Sequence, residues 1–152
     1  MTMIILKVFL FSAAAFALYW HIKIKKVFPA IITVGMIAGM IMALVFPDTI
    51  RTTGFLIYMG FVALAFIYGL TVKEKGIWAR IVIILMTAGI FTYWLWILNH
   101  WHGNEVLAPL LTLIAGLAGI SGKVRLKNEL GFLVLLAADA FVILIEHLLK
   151  ST

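Results

Sequence analysis

The chain carries six acidic residues, and one of them, Asp139, stands where a carboxylate is hardest to keep. It is tenth in the twenty-residue apolar run 130–149, close to the middle of a bilayer-length segment. An isolated aspartate at that depth costs at least about 2.5–3.5 kcal/mol. Asp139 is therefore expected to face protein or water rather than lipid, and to handle a proton or a cation; the alternative is a hydrogen-bonded residue that holds helices together. Counting residues inward from the ends of the other apolar runs puts Ser12, Thr87 and Thr112 near the same level, so their hydroxyls are the expected partners. Glu146 follows Asp139 by seven residues and shares its helix face. A polar stripe from the surface to the middle would begin there, beside His147.

A second constellation lies in segment 99–105, which holds His100, His102 and Glu105. Tyr93, Trp96 and His100 follow an i, i+3, i+7 pattern that lines one helix face leading into it. With Glu146 and His147, these residues would form a polar mouth at the outer surface. His100, His102, His147 and Glu105 are also chemically suitable zinc ligands, but His-x-His in a loop is a weak signal, so metal binding is left open. His100 with His147 as a haem pair is a remoter alternative. His21 is isolated and is expected to meet lipid headgroups. There is no GxSxG elbow, no phosphate-binding glycine loop and no HExxH. No cofactor is expected.

The elements that must position these groups are helices in a membrane. Hydrophobic side chains make up 65% of the chain, charged ones only 12%, and mean hydropathy is +1.19. That is too little charge for a soluble surface, and too apolar for disorder. With no cysteine there is neither a disulfide scaffold nor thiolate chemistry. Six apolar stretches are read, at 4–22, 27–46, 54–72, 77–98, 106–120 and 130–149. A helix needs about 20 residues to cross a bilayer core. The fifth stretch has 15, so it either crosses with its ends at the interfaces or is a re-entrant or protein-buried segment. The separators are short, giving a single transmembrane domain over residues 1–152, an all-α polytopic bundle of six spans with antiparallel neighbours. Pro29 sits in the first turn of the second helix, Pro47 stops it, and Pro109 sits near the start of the fifth. Thr53 and Asn128 are expected to cap the third and sixth.

Lysine and arginine set the orientation. The first, third and fifth connections, with Arg80 just inside the fourth helix, hold nine basic residues; the opposite side holds Lys7, Arg51 and Lys150. A nine-to-three bias places the basic connections inside and both termini outside, most naturally in a bacterial cytoplasmic membrane. Tyr19, Trp20 and Trp78 fall near the inner interface and Trp94, Trp96 and Trp101 toward the outer one, as anchoring aromatics do. The first stretch has no basic start before its apolar run and is read as a retained helix rather than a cleaved signal.

Gly35 and Gly39 form a GxxxG in the second helix, Ala65 and Gly69 a small-xxx-small pair in the third, and Ala115, Gly116, Gly119 and Gly122 a small-residue face in the fifth. Such residues let helix backbones approach where lipid supplies no hydrophobic drive. They point to packing within the chain, with a homo-oligomer as the alternative.

Together these features favour proton- or cation-linked transport of a small solute or ion. The alternatives are a non-catalytic membrane subunit or assembly factor of a larger complex, and an enzyme acting on lipid or quinone at the outer leaflet through a histidine. The partners expected are the bilayer, a small ion or solute, and a homo-oligomer or larger membrane complex; the basic connections are too short for nucleic acid.

Overall fold

The structure, a computed structural model, describes residues 2–151. It contains six helices and no strand among them: α1 (Thr2–Ile24), α2 (Val27–Val45), α3 (Asp48–Thr71), α4 (Ile77–Leu98), α5 (Leu107–Ser121) and α6 (Leu130–Ser151). Five are long and apolar enough to cross a membrane; α5 is the shorter one.

Three of the five turns between helices have an identifiable cause. Lys25 and Lys123 adopt positive φ (56° and 50°) just past α1 and α5, reversing the chain after the last helical turn as αL residues do. Between α2 and α3, only Phe46 and Pro47 lie outside helix. Pro47 has no N–H to continue a helix, and its carbonyl accepts the first N–H groups of α3, from Ile50 (3.0 Å) and Arg51 (3.0 Å). The third helix therefore starts at Asp48, earlier than the apolar pattern suggests, and Thr53 lies within it rather than capping it. Polar residues of that first turn project beyond the apolar run but still continue the helix.

Consecutive helices pack as antiparallel neighbours, and α1 closes the bundle against α6. The sixth helix also touches α2, α4 and α5, so it is the central one. Its buried residues run from Gly131 to Ile143 on more than one face, as expected of a helix surrounded by protein. Asp139 is thus carried by the helix least able to turn it toward lipid. The core around it includes Ala17 from α1, Ile32 and Met36 from α2, Val62 from α3, Ile83 and Ile90 from α4, and Phe132 and Leu136 from α6.

Glycines set how closely the helices approach. A Cβ on Gly39 would lie 2.5 Å from the Tyr58 backbone nitrogen and 2.8 Å from the Gly54 carbonyl oxygen. Gly54 in turn meets Met42, Ala43 and Gly39. The GxxxG of α2 is therefore spent inside the chain, on α3. Gly89 opens α4 to Thr112 and Ala108 of α5, and Gly131 opens α6 to His21 of α1.

Candidate functional site: a buried carboxylate at the floor of a cavity

Asp139 is 9% exposed and is held by two donors. The Tyr58 hydroxyl donates to Oδ2 at 2.8 Å, and the Trp94 ring N–H donates to the same oxygen at 3.0 Å. Tyr58 comes from α3 and Trp94 from α4, so three helices meet at one carboxyl group. Oδ1 accepts neither bond. Phe55 packs its ring against Trp94 with centroids 4.2 Å apart and planes inclined at 73°, and Tyr93 flanks Trp94 at 4.9 Å. Edge-to-face contacts of this kind fix ring orientation, and through it the direction of the Trp94 N–H.

A cavity of about 270 Å³ lies above this floor. Its walls are apolar for the most part: Leu6 and Leu10 of α1, Met40 and Leu44 of α2, Val142 and Ile143 of α6. Phe55, Tyr58, Trp94 and Asp139 line it too, with Leu135 one turn before Asp139 on α6. Lys7, Arg51 and Glu146 also line it; all three belong to the helix ends away from the basic connections. Lys7 Nζ donates to the Leu44 carbonyl at 3.3 Å, tying α1 to α2. Arg51 stands 4.0 Å from exposed Asp48, a pair that contributes little in water.

Some of the residues singled out from sequence come together here and some do not. Asp139 and Glu146 line one cavity, as their shared face requires. The three hydroxyls read as partners of Asp139 are engaged elsewhere. Ser12 is exposed and donates to the Val8 carbonyl (2.8 Å), Thr87 donates to the Ile83 carbonyl (2.7 Å), and Thr112 reaches the Met86 and Ala108 carbonyls at 3.3 Å each. Depth counts place a residue along the bundle axis but not around its helix, and helical Ser and Thr readily bond back to their own backbone. Thr112 nonetheless does a structural job, bridging α5 to α4.

Tyr93, Glu105, Glu146, His147 and Lys150 line a smaller recess of about 50 Å³. His100 and His102 are exposed in the adjoining turn, where His100 takes a positive φ of 52°, and they line neither cavity. No group of three or more His, Cys, Asp or Glu that could hold a metal ion occurs among the described residues.

The other end of the bundle holds a polar cluster that the sequence reading did not assemble. Glu129, which precedes α6, is fully buried. Tyr68 donates to its Oε1 at 2.7 Å, and Lys75 Nζ lies 3.1 Å from its Oε2. Lys75 also donates to the Arg125 carbonyl at 3.3 Å, and Trp20 donates to the Lys127 carbonyl at 2.7 Å. His21, expected at headgroups, is instead 7% exposed, with Nε2 at 2.6 Å from Thr33 Oγ1. Thr33 Oγ1 also donates to the Pro29 carbonyl at 2.8 Å, and His21 Nδ1 is buried without a hydrogen-bond partner among the described residues.

A signal for this cluster was present in spacing. Tyr58 and Tyr68 are ten residues apart on α3, and Asp139 and Glu129 are ten apart at and beside α6. In antiparallel helices rising 1.5 Å per residue, equal spacing stacks two tyrosine–carboxylate rungs about 15 Å apart.

The chain matches no protein-family model, no curated protein and no solved structure.

Proposed function

We propose that the protein is a membrane transporter of a small solute or ion, coupled to a proton or cation held at Asp139. The observation that carries this is the cavity of about 270 Å³ that has Asp139 at its floor and Lys7, Arg51 and Glu146 among its lining residues. A carboxylate that only stapled helices would need donors but no cavity. Here both donors address one oxygen, while the residue itself lines open space.

The positive-inside bias orients the basic connections toward the cytoplasm, so the cavity opens outward. The bilayer is that of a bacterial cytoplasmic membrane in this reading. Below the floor, packed Phe132, Leu136 and Val62 and the Glu129–Lys75 pair close the cytoplasmic route. Alternating access would require these layers to part as the outer rim closes. Glu146, Tyr93, His147 and Glu105 are assigned to the outer mouth; His100 and His102 flank it. Ser12, Thr87 and Thr112 are assigned no contact with the transported species, since their hydroxyls are committed to backbone.

The subunit alternative draws on the apolar perimeter, which lipid alone accounts for. The enzyme alternative draws on His147 beside Glu105 and Glu146, but that recess holds little more than a water or two by volume.

The test is solute-driven proton movement in vesicles reconstituted with the purified protein and loaded with a pH-sensitive dye. Addition of a transported solute should produce a proton flux in the wild type, and Asp139→Asn, which keeps the shape and removes the charge, should abolish it. Flux of equal size in both proteins would remove Asp139 from the mechanism.

A further inference from the structure

The composition of the cavity floor narrows the ligand. Three aromatic rings and one carboxylate converge there. Phe55, Tyr58 and Trp94 line the same cavity as Asp139, and the two ring donors both point to Oδ2, leaving Oδ1 for an incoming group. Ring faces carry negative quadrupole density and attract a cation within about 6 Å, most strongly when water is excluded. A neighbouring carboxylate adds the net charge a buried cation needs. Anions find the opposite: the floor offers them a repelling carboxylate, with its two donors already spent on it. The walls above are aliphatic, from Leu6, Leu10, Met40, Val142 and Ile143, and suit a hydrocarbon substituent rather than a hydrated metal ion. A volume of about 270 Å³ equals roughly nine waters at about 30 Å³ each. It lies just under the range of roughly 300–1,000 Å³ for drug-sized ligands.

The cations at the rim do not contradict this. Lys7 is engaged with the Leu44 carbonyl, Arg51 stands near Asp48, and Glu146 lines the cavity beside them. Their residual field would slow entry of a cation and be screened by salt.

We infer that the floor formed by Asp139, Phe55, Tyr58 and Trp94 is a binding site for a small organic ammonium ion carrying an apolar substituent. The inference rests on the transport reading only for what happens to the ligand afterwards; binding itself stands on the cavity. In the transport cycle the ammonium and a proton would compete for one carboxyl group, so that entry of one from either side displaces the other.

The experiment measures equilibrium binding of radiolabelled benzyltrimethylammonium to the purified full chain in detergent, with its uncharged carbon isostere neopentylbenzene as competitor. The ammonium should bind saturably, at least about tenfold tighter than the isostere competes. Asp139→Asn should weaken it at least about 30-fold, the loss expected when one partner of a buried charge contact is removed. Trp94→Leu should weaken it about tenfold. Lys73→Gln, at an exposed position on a basic connection that does not line the cavity, should leave binding unchanged. Equal affinity for the isostere, or binding indifferent to both Asp139→Asn and Trp94→Leu in variants that remain monodisperse, would overturn the inference. The two proposals fail separately. Asp139-dependent ammonium binding without any vesicle flux leaves this site standing and removes transport. Asp139-dependent flux of another solute, with no ammonium binding, removes this site alone.

Discussion

At the scale of single residues, two carboxylates on or beside α6 solve the same problem by different means. Asp139 is held by neutral donors and Glu129 by a cation, Lys75, plus a tyrosine. The difference predicts different consequences of mutation. Lys75→Met leaves Glu129 buried without its counter-charge and should destabilise the protein by about 3–5 kcal/mol. The double variant Lys75→Met with Glu129→Gln should recover a large part of that loss, because the uncompensated charge is gone. Thermal unfolding of both variants in detergent checks this; a double variant no more stable than Lys75→Met would show that the pair is not electrostatically coupled. Asp139 was legible in the sequence because an acid at the middle of an apolar run has few excuses. Its partners were not. Tyr58 and Trp94 look like ordinary aromatic content of membrane helices, and only their azimuth on α3 and α4 makes them donors. Glu129 was hidden for the opposite reason: it sits among basic residues near a helix end, where an acid normally meets water.

At the scale of elements, helix number and order follow from apolar runs and short basic separators, and all six runs are helices. Boundaries were less legible, as α3 shows by starting at Asp48, because a polar first turn can extend a helix past its apolar part. The packing glycines were legible as a class, but not their partners. Gly39 lies against the backbone of the residue that carries the Tyr58 donor, so close approach of α2 to α3 and the position of Tyr58 are one feature. Gly39→Ala should destabilise the fold by about 1–3 kcal/mol, the usual cost of overpacking, and should weaken whatever Asp139 binds. Gly60 has nothing within 4 Å of an added Cβ, and Gly60→Ala should be neutral or stabilising by up to about 1 kcal/mol. Unfolding midpoints of the pair, measured side by side, check the contrast; equal effects would mean that the α2–α3 contact is not set at Gly39.

At the scale of the whole molecule, the two ends differ in kind. One end carries the basic connections and a closed cluster of His21, Thr33, Tyr68, Lys75 and Glu129; toward the other, an open cavity rises from Asp139. Charge asymmetry was readable from composition along the chain, whereas the cavity was not, since it arises from how α1, α2, α3, α4 and α6 leave space between them. In the proposed transport cycle the asymmetry supplies a direction, with Asp139 reached from the outer face and closed to the cytoplasmic one. The chain has no cysteine, so an introduced thiol reports without background. The decisive measurement is labelling of Val142→Cys, on the cavity wall one turn beyond Asp139, with a membrane-impermeant cationic thiol reagent in sealed vesicles of known orientation. Rapid labelling from the outer face and none from the basic face is the predicted result, with exposed Lys73→Cys behaving in the reverse sense. Labelling of Val142→Cys only from the basic face, or from neither face while Lys73→Cys reacts, would contradict an outward cavity that leads to a working carboxylate.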